Sequence, residues 1–164
     1  MFLSARLTRS MRGEETDMTI SKRNSLYAVN VIIPLVCGLF IYLTRIESNF
    51  LSSSLPGIRS VLPVIRYPIL IKNFAADFLW AYSLFFCLRL TLGDLLKGKY
   101  SLTVIILAAF VSLLVESLQI ANWFPGTFDP LDMVVELIAV AFALLISIFI
   151  ERLNAFYSGR CKHE

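Results

Sequence analysis

The sequence is poor in the residues that build zinc sites and hydrolytic triads. Its only histidine, His163, is next to the last of 164 residues, and its three cysteines form no Cys-x-x-Cys pair. A structural zinc site needs four closely spaced Cys or His ligands, and Ser-His-Asp chemistry needs a histidine base beside the nucleophile. We therefore expect no metal, no cofactor and no histidine-based catalytic residue, and a disulfide framework is excluded as well.

Charged residues are also scarce. They make up 16% of the chain, whereas hydrophobic residues make up 57%, and soluble domains average about 25% charged residues. The mean hydropathy is +0.74. The net charge of +3 is too small and too scattered to indicate nucleic-acid binding. A chain of this size and hydrophobicity is predicted to form one domain in a membrane.

Four hydrophobic segments have nearly the ~20 residues that cross ~30 Å of hydrocarbon. They predict an all-α polytopic membrane protein with four transmembrane helices, at residues 26–43, 74–92, 102–120 and 131–150. Residues 1–24 are expected to be a polar tail without a signal peptide, 25–151 the membrane domain, and 152–164 a second polar tail.

The segment between the first two spans, residues 49–71, is moderately apolar but broken by prolines. It predicts an interfacial or re-entrant stretch rather than a fifth span.

The lysine and arginine residues of the flanks predict the orientation. With four spans, eleven of them fall on the side of both termini and four on the other side. Because cytoplasmic flanks carry the excess of Lys and Arg, both termini are predicted to be cytoplasmic in a cell membrane.

Four acids lie inside the hydrophobic segments or at their ends: Asp77, Glu116, Asp132 and Glu136. An ionised carboxylate is costly in hydrocarbon, so such residues usually face a protein interior or a wet cavity and often mark function. The predicted topology places all four in the outer third of the bilayer, with Asp77 about one turn below the outer surface.

Neighbouring polar residues extend this group. Gln119 shares a helix face with Glu116, and Asp129 shares one with Asp132 and Glu136. Arg45 and Arg59 fall on the same side and are expected to be counter-cations or headgroup contacts. The residues predict a polar, outward-opening pocket formed by Asp77, Glu116, Gln119, Asp129, Asp132, Glu136, Arg45 and Arg59.

Structural interpretations of the same residues stay open. Asp129-Pro130-Leu131-Asp132 is typical of a helix start, with Asp129 as the N-cap and Asp132 near the positive end of the helix. Glu116 and Glu136 equally fit ion pairs or hydrogen bonds between helices. Tyr82 is expected either to hydrogen-bond across helices or to pack, and Arg89 to extend to the headgroups.

Two motifs in the second half resemble the VanZ-like integral membrane proteins. They are Glu116-Ser-Leu-Gln119 and Gly126-Thr-Phe-Asp129-Pro-Leu-Asp132, followed by an apolar span. Asp77-Phe-Leu-Trp80-Ala-Tyr82 is similar to the aromatic second span of that family, and Arg45 lies where its members often carry an arginine. The resemblance covers roughly residues 26–150.

The chain departs from the family pattern in two places. Many members have a histidine at the start of the second span, where this chain has Asn73 and Asp77, and many have Asn and Gly in the last span, where it has Glu136, Ala139 and Ala143. The resemblance implies a bacterial inner-membrane protein. The founding members are associated with reduced susceptibility to glycopeptide antibiotics, teicoplanin more than vancomycin.

The favoured hypothesis is a VanZ-like envelope protein that binds an amphiphilic or cationic group at the outer leaflet. Its expected partners are membrane lipid and an amphiphilic envelope ligand or a glycopeptide. One alternative is a small ion- or proton-coupled transporter that works as an oligomer, with Glu116 and Glu136 relaying protons. The others are an enzyme that acts on a lipid headgroup and a structural or assembly protein.

Overall fold

A computed structural model describes most of the chain. The backbone is described for residues 2–46, 55–92, 101–120 and 129–160, and the side chains for residues 21–46, 55–92, 102–115, 117–119 and 129–156. The helices in these ranges are α1 (Phe2–Thr44), α2 (Pro56–Val61), α3 (Ile69–Leu92), α4 (Ser101–Ile120) and α5 (Pro130–Arg160).

Four of these helices are long and apolar enough to cross a membrane. Their span-forming parts are Ser21–Thr44, Ile69–Leu92, Leu102–Gln119 and Pro130–Phe156. The predicted fold class, an all-α multi-pass membrane protein with four spans and a short element between the first two, is confirmed.

Two helix starts differ from the prediction. α1 begins at Phe2 and so continues through residues that the sequence marked only as a polar tail, 1–24. Hydropathy marks the part of a helix that crosses lipid, but backbone hydrogen bonding continues through polar residues. α3 begins at Ile69 instead of residue 74, because the Pro68 carbonyl accepts the Lys72 N–H at 2.9 Å and so closes the first turn.

Contacts at two levels along α3 define the helix directions. Arg89, near the end of α3, pairs with Glu151, near the end of α5, and Phe78, earlier in α3, contacts Phe142, earlier in α5. The two helices therefore run parallel. Tyr27, near the start of the α1 span, contacts Glu151 as well, so α1 runs antiparallel to both.

Aromatic side chains fill the centre of the bundle. The Phe86 ring is fully buried and lies 5.5 Å from Tyr27, 5.1 Å from Tyr82 and 5.5 Å from Phe85 between ring centroids. Phe142 brings α5 into the same cluster, 6.0 Å from Tyr82. Tilted and edge-on ring pairs at these distances are favourable, so this cluster joins α1, α3 and α5.

α1 and α3 approach closely at Gly38. A Cβ atom at this position would lie 3.6 Å from the Leu79 Cβ and 3.8 Å from the Ala76 carbonyl oxygen. Small residues at helix crossings let backbones approach in membranes, where van der Waals packing replaces the hydrophobic effect between helices.

The segment after α1 folds back onto the end of that helix. The Ile65 N–H donates to the Thr44 carbonyl at 2.8 Å, and the hydroxyls of Thr44 and Tyr67 are 2.8 Å apart. These contacts satisfy backbone and side-chain groups at a helix end, where the last carbonyls have no intrahelical partner. α2 itself buries no residue, and Ile58 and Val61 remain 50% and 85% exposed, as expected for an interfacial element.

Candidate functional site

Asp77, Asp132 and Arg45 lie at the same end of the bundle, which we call the carboxylate end. Asp77 interacts repulsively with Asp132 and attractively with Arg45. Asp77 belongs to α3, Asp132 to the first turn of α5, and Arg45 follows α1. Three segments that are distant in sequence thus place two acids and one cation within electrostatic range.

The Arg45 side chain is held over an aromatic ring. Its guanidinium carbon is 4.3 Å from the centroid of Tyr42, one turn earlier in the chain, a distance that favours a cation–π contact. The buried Arg45 Nε has no hydrogen-bond partner within the described part of the chain. Arg45 therefore lowers the negative potential around Asp77 while it keeps one donor unused.

The acids are staggered in depth. Asp77 is twelve residues before Arg89, and Glu136 and Asp132 are fifteen and nineteen before Glu151, the partner of Arg89. At ~1.5 Å per residue, Asp132 lies ~10 Å nearer the carboxylate end than Asp77, with Glu136 between them.

Asp77 lies eight residues after the start of α3 at Ile69, which is ~12 Å along the helix. Its expected depth of one turn below the outer surface stays a prediction. Asp132, Glu136 and Asp77 thus follow one another into the bundle.

Glu136 is the most deeply buried of the described acids, with 3% of its surface exposed. It lies on the face of α5 that continues through Ala139, Val140 and Ala143, all of them buried. A carboxyl group on this face points into protein rather than lipid, which is where membrane carboxylates normally lie.

Asp129 is the N-cap of α5. Its Oδ1 accepts the Leu131 N–H at 2.9 Å, and its carbonyl accepts the Asp132 N–H at 3.0 Å. The capping interpretation of this residue is confirmed. One of its carboxylate oxygens therefore already accepts a hydrogen bond from the first turn of α5.

Arg59 binds backbone carbonyls at the end of α1. Its Nη1 donates to the Leu43 carbonyl and its Nη2 donates to the Arg45 carbonyl at 2.7 Å. The guanidinium thus satisfies two of the carbonyls at the end of α1. Sequence reasoning missed this because the fold-back of the segment brings Arg59 to α1.

We predict that Arg59→Gln releases the fold-back segment, residues 55–68, from α1. Charge-assisted hydrogen bonds are worth ~1.5–3 kcal/mol each, so the Ile65 amide should exchange with solvent roughly tenfold faster or more. Amide hydrogen exchange in detergent measures this. Arg66→Gln, a change at an exposed arginine, is the control, and equal protection in the two variants would contradict the assignment.

Two of the predicted site residues, Glu116 and Gln119, lie on α4. The Glu116 side chain falls outside the described residues. Gln119 is half-buried and is the second-last residue of the same helix. Among the residues that the structure describes, no group of three His, Cys, Asp or Glu side chains is placed to hold a metal ion.

A second polar cluster, at the opposite end of the bundle, was not predicted. Arg89 pairs with Glu151 instead of extending to the headgroups, and the Tyr27 hydroxyl lies 3.3 Å from both the Glu151 carboxylate and the Ser147 Oγ. The cluster ties α1, α3 and α5 together. The signal available in the sequence was that Arg89 and Glu151 both lie near the same predicted membrane surface.

Tyr82 forms the interhelical hydrogen bond that was one of its two expected roles. Its hydroxyl donates to the Asn30 Oδ1 at 2.5 Å, and the Asn30 Nδ2 donates to the Leu26 carbonyl at 2.8 Å. This pair links α1 and α3 at mid-span.

Comparison with protein-family models, with curated proteins and with solved structures gives no match to this chain.

Proposed function

We propose that this membrane protein binds the cationic group of an amphiphile at the outer leaflet. The carboxylate end would provide the binding charges, from Asp132 and Glu136 on α5 and Asp77 on α3, with Glu116 on α4 as a further contributor. The observation that carries the proposal is that Asp77 and Asp132, on two different helices, lie at the same end of the bundle within electrostatic range of each other, because two nearby acids repel each other and favour a cation between them.

The position of these acids favours a ligand that is both charged and apolar. Asp132 is half-buried at the mouth of the bundle, whereas the neighbouring Leu131 and Val134 are 57% and 52% exposed. A cationic headgroup would meet carboxylates in a setting of reduced dielectric, where charge pairs are stronger than in water. The attached hydrocarbon would remain in contact with apolar side chains and lipid.

The orientation and the cellular role are part of the same proposal. The lysine and arginine distribution favours cytoplasmic termini, which places the carboxylate end on the outer side. The motif resemblance favours a VanZ-like role in the bacterial cell envelope, in which the protein influences susceptibility to teicoplanin-type glycopeptides.

The cellular proposal is tested in a deletion strain complemented with wild type, Asp132→Asn or Asp129→Asn. We expect wild type and Asp129→Asn to restore teicoplanin tolerance, because Asn keeps the helix cap, and Asp132→Asn to fail. Drug susceptibility is the measurement, with membrane abundance matched by immunoblot.

Two outcomes would contradict it. Unchanged drug susceptibility on deletion would rule out the envelope role. Full restoration of teicoplanin tolerance by Asp132→Asn at equal abundance would rule out the acidic site.

Ion- or proton-coupled transport is the second candidate. It is favoured by polar residues that recur along the buried side of α5, at Glu136 and at Ser147, which are 3% and 2% exposed, with Glu151 four residues after Ser147. A proton flux in proteoliposomes of the purified protein would support transport in place of binding alone.

A further inference from the structure

A cavity of about 260 Å³, open to the outside of the bundle, lies at mid-height between α1, α3 and α5, apart from the carboxylate end. Its lining includes Asn30 and Pro34 of α1, Phe78 and Tyr82 of α3, and Phe142 of α5. These residues lie near the midpoints of the three spans Ser21–Thr44, Ile69–Leu92 and Pro130–Phe156. The cavity is therefore at the depth of the bilayer centre.

Pro34 makes a backbone carbonyl available at this depth. A proline has no N–H, and the carbonyl that such an N–H would bind belongs to the residue four positions earlier, which is Asn30. A carbonyl without a donor is costly in hydrocarbon, so a neighbouring group that donates a hydrogen bond is favoured there.

The Asn30 side chain adds a donor beside this acceptor. Its Oδ1 accepts from Tyr82 and one of its amide hydrogens is donated to the Leu26 carbonyl. A primary amide has two such hydrogens, and the second has no partner among the described residues. Asn30 thus offers one acceptor and one donor at the wall of an apolar cavity.

The volume of the cavity and the polarity of its lining indicate the class of ligand that fits it. A hydroxyl group both donates and accepts, so it matches Asn30. A water molecule would do so too, but it occupies only ~30 Å³, and the remaining lining is apolar. The cavity is slightly smaller than the ~300 Å³ at the lower end of ligand pockets, which suits a single hydrocarbon chain. Its lining contains no charged residue, which favours an uncharged molecule over a phospholipid.

We propose that this mid-membrane cavity binds a long-chain alcohol. Its hydroxyl would donate to the Asn30 carbonyl and accept from the Asn30 amide. Its chain would lie against Phe78 and Phe142. This site and its ligand are separate from the cation site at the carboxylate end.

Photo-crosslinking of the full-length protein in nanodiscs tests the proposal, with a diazirine-bearing long-chain alcohol and its methyl ether as probes. The ether keeps the chain but lacks the hydroxyl hydrogen. We expect the alcohol to label peptides of the cavity about fivefold more than the ether, the loss that one hydrogen bond explains. Equal labelling by the two probes would overturn the proposal. A crosslinked dimer would overturn it too, because it would show that a second copy of the protein occupies the cavity.

Pro34→Ala is the decisive variant, because it restores an N–H that can occupy the Asn30 carbonyl. It should lower alcohol labelling about fivefold and at the same time raise the melting temperature, since an interior proline weakens a helix. A misfolded variant would instead show both weaker alcohol labelling and a lower melting temperature. Val36→Ala, at a position 58% exposed on the same helix, is the matched control, and undiminished labelling of Pro34→Ala would refute the role of Asn30.

Discussion

Phe86→Ala is expected to lower the free energy of unfolding by about 3–5 kcal/mol, the range found when a buried aromatic is truncated. The Phe86 side chain is fully buried and its ring contacts Tyr27, Tyr82 and Phe85. Its loss would leave a cavity where α1 meets α3, because the surrounding rings can relax only in part. Thermal or SDS-induced unfolding of the purified protein in detergent measures the change.

Phe110→Ala is the matched control for this prediction. It removes the same atoms from α4 at a position that is 57% exposed, and substitutions at exposed positions usually stay within about 0.5 kcal/mol. If the two variants lose the same stability, the aromatic cluster is not the centre of the bundle.

The sequence was sufficient for features that depend on nearby residues. The four spans follow from the length and hydropathy of continuous segments, and the N-cap of α5 follows from Asp129 and Pro130, which act within one turn. Both predictions are confirmed.

Features that depend on the register between helices could not be predicted. Arg89 and Glu151 are sixty-two positions apart, and their pairing requires the relative height of α3 and α5. An arginine considered alone is expected to reach the headgroups, so Arg89 was assigned that role. The partners of Arg59 could not be predicted for the same reason, since they belong to the end of α1.

The candidate site depends partly on nearby residues and partly on the register between helices. That Asp77, Asp132 and Arg45 fall at one end of the molecule follows from counting spans, and it agrees with the electrostatic influence of Asp132 and Arg45 on Asp77. The stagger of Asp77 and Asp132 in depth required the register that the Arg89–Glu151 pair gives to α3 and α5. Hydropathy also placed the start of α3 five residues too late, because residues 69–73 include Lys72 and Asn73.

The double variant Asp77→Asn, Asp132→Asn is expected to bind a long-chain alkylammonium ten- to a hundredfold more weakly than wild type. A charge-assisted hydrogen bond contributes ~1.5–3 kcal/mol, and ~1.4 kcal/mol corresponds to a factor of ten. Asparagine keeps the shape of each side chain and removes the charge. Asp129→Asn keeps the helix cap and, with one oxygen of Asp129 already bound to Leu131, should change the affinity less than about threefold.

The central claim is that the carboxylate end binds a cation, and an equilibrium titration tests it most directly. A fluorescent alkylammonium is titrated into the full-length protein in nanodiscs of uncharged lipid, and an alkyl sulfate of equal chain length serves as the opposite-charge probe. We predict that the ammonium probe binds wild type saturably and that the double variant binds it at least tenfold more weakly. We predict no binding of the sulfate. Equal affinity of wild type and the double variant, or tighter binding of the sulfate, would contradict it.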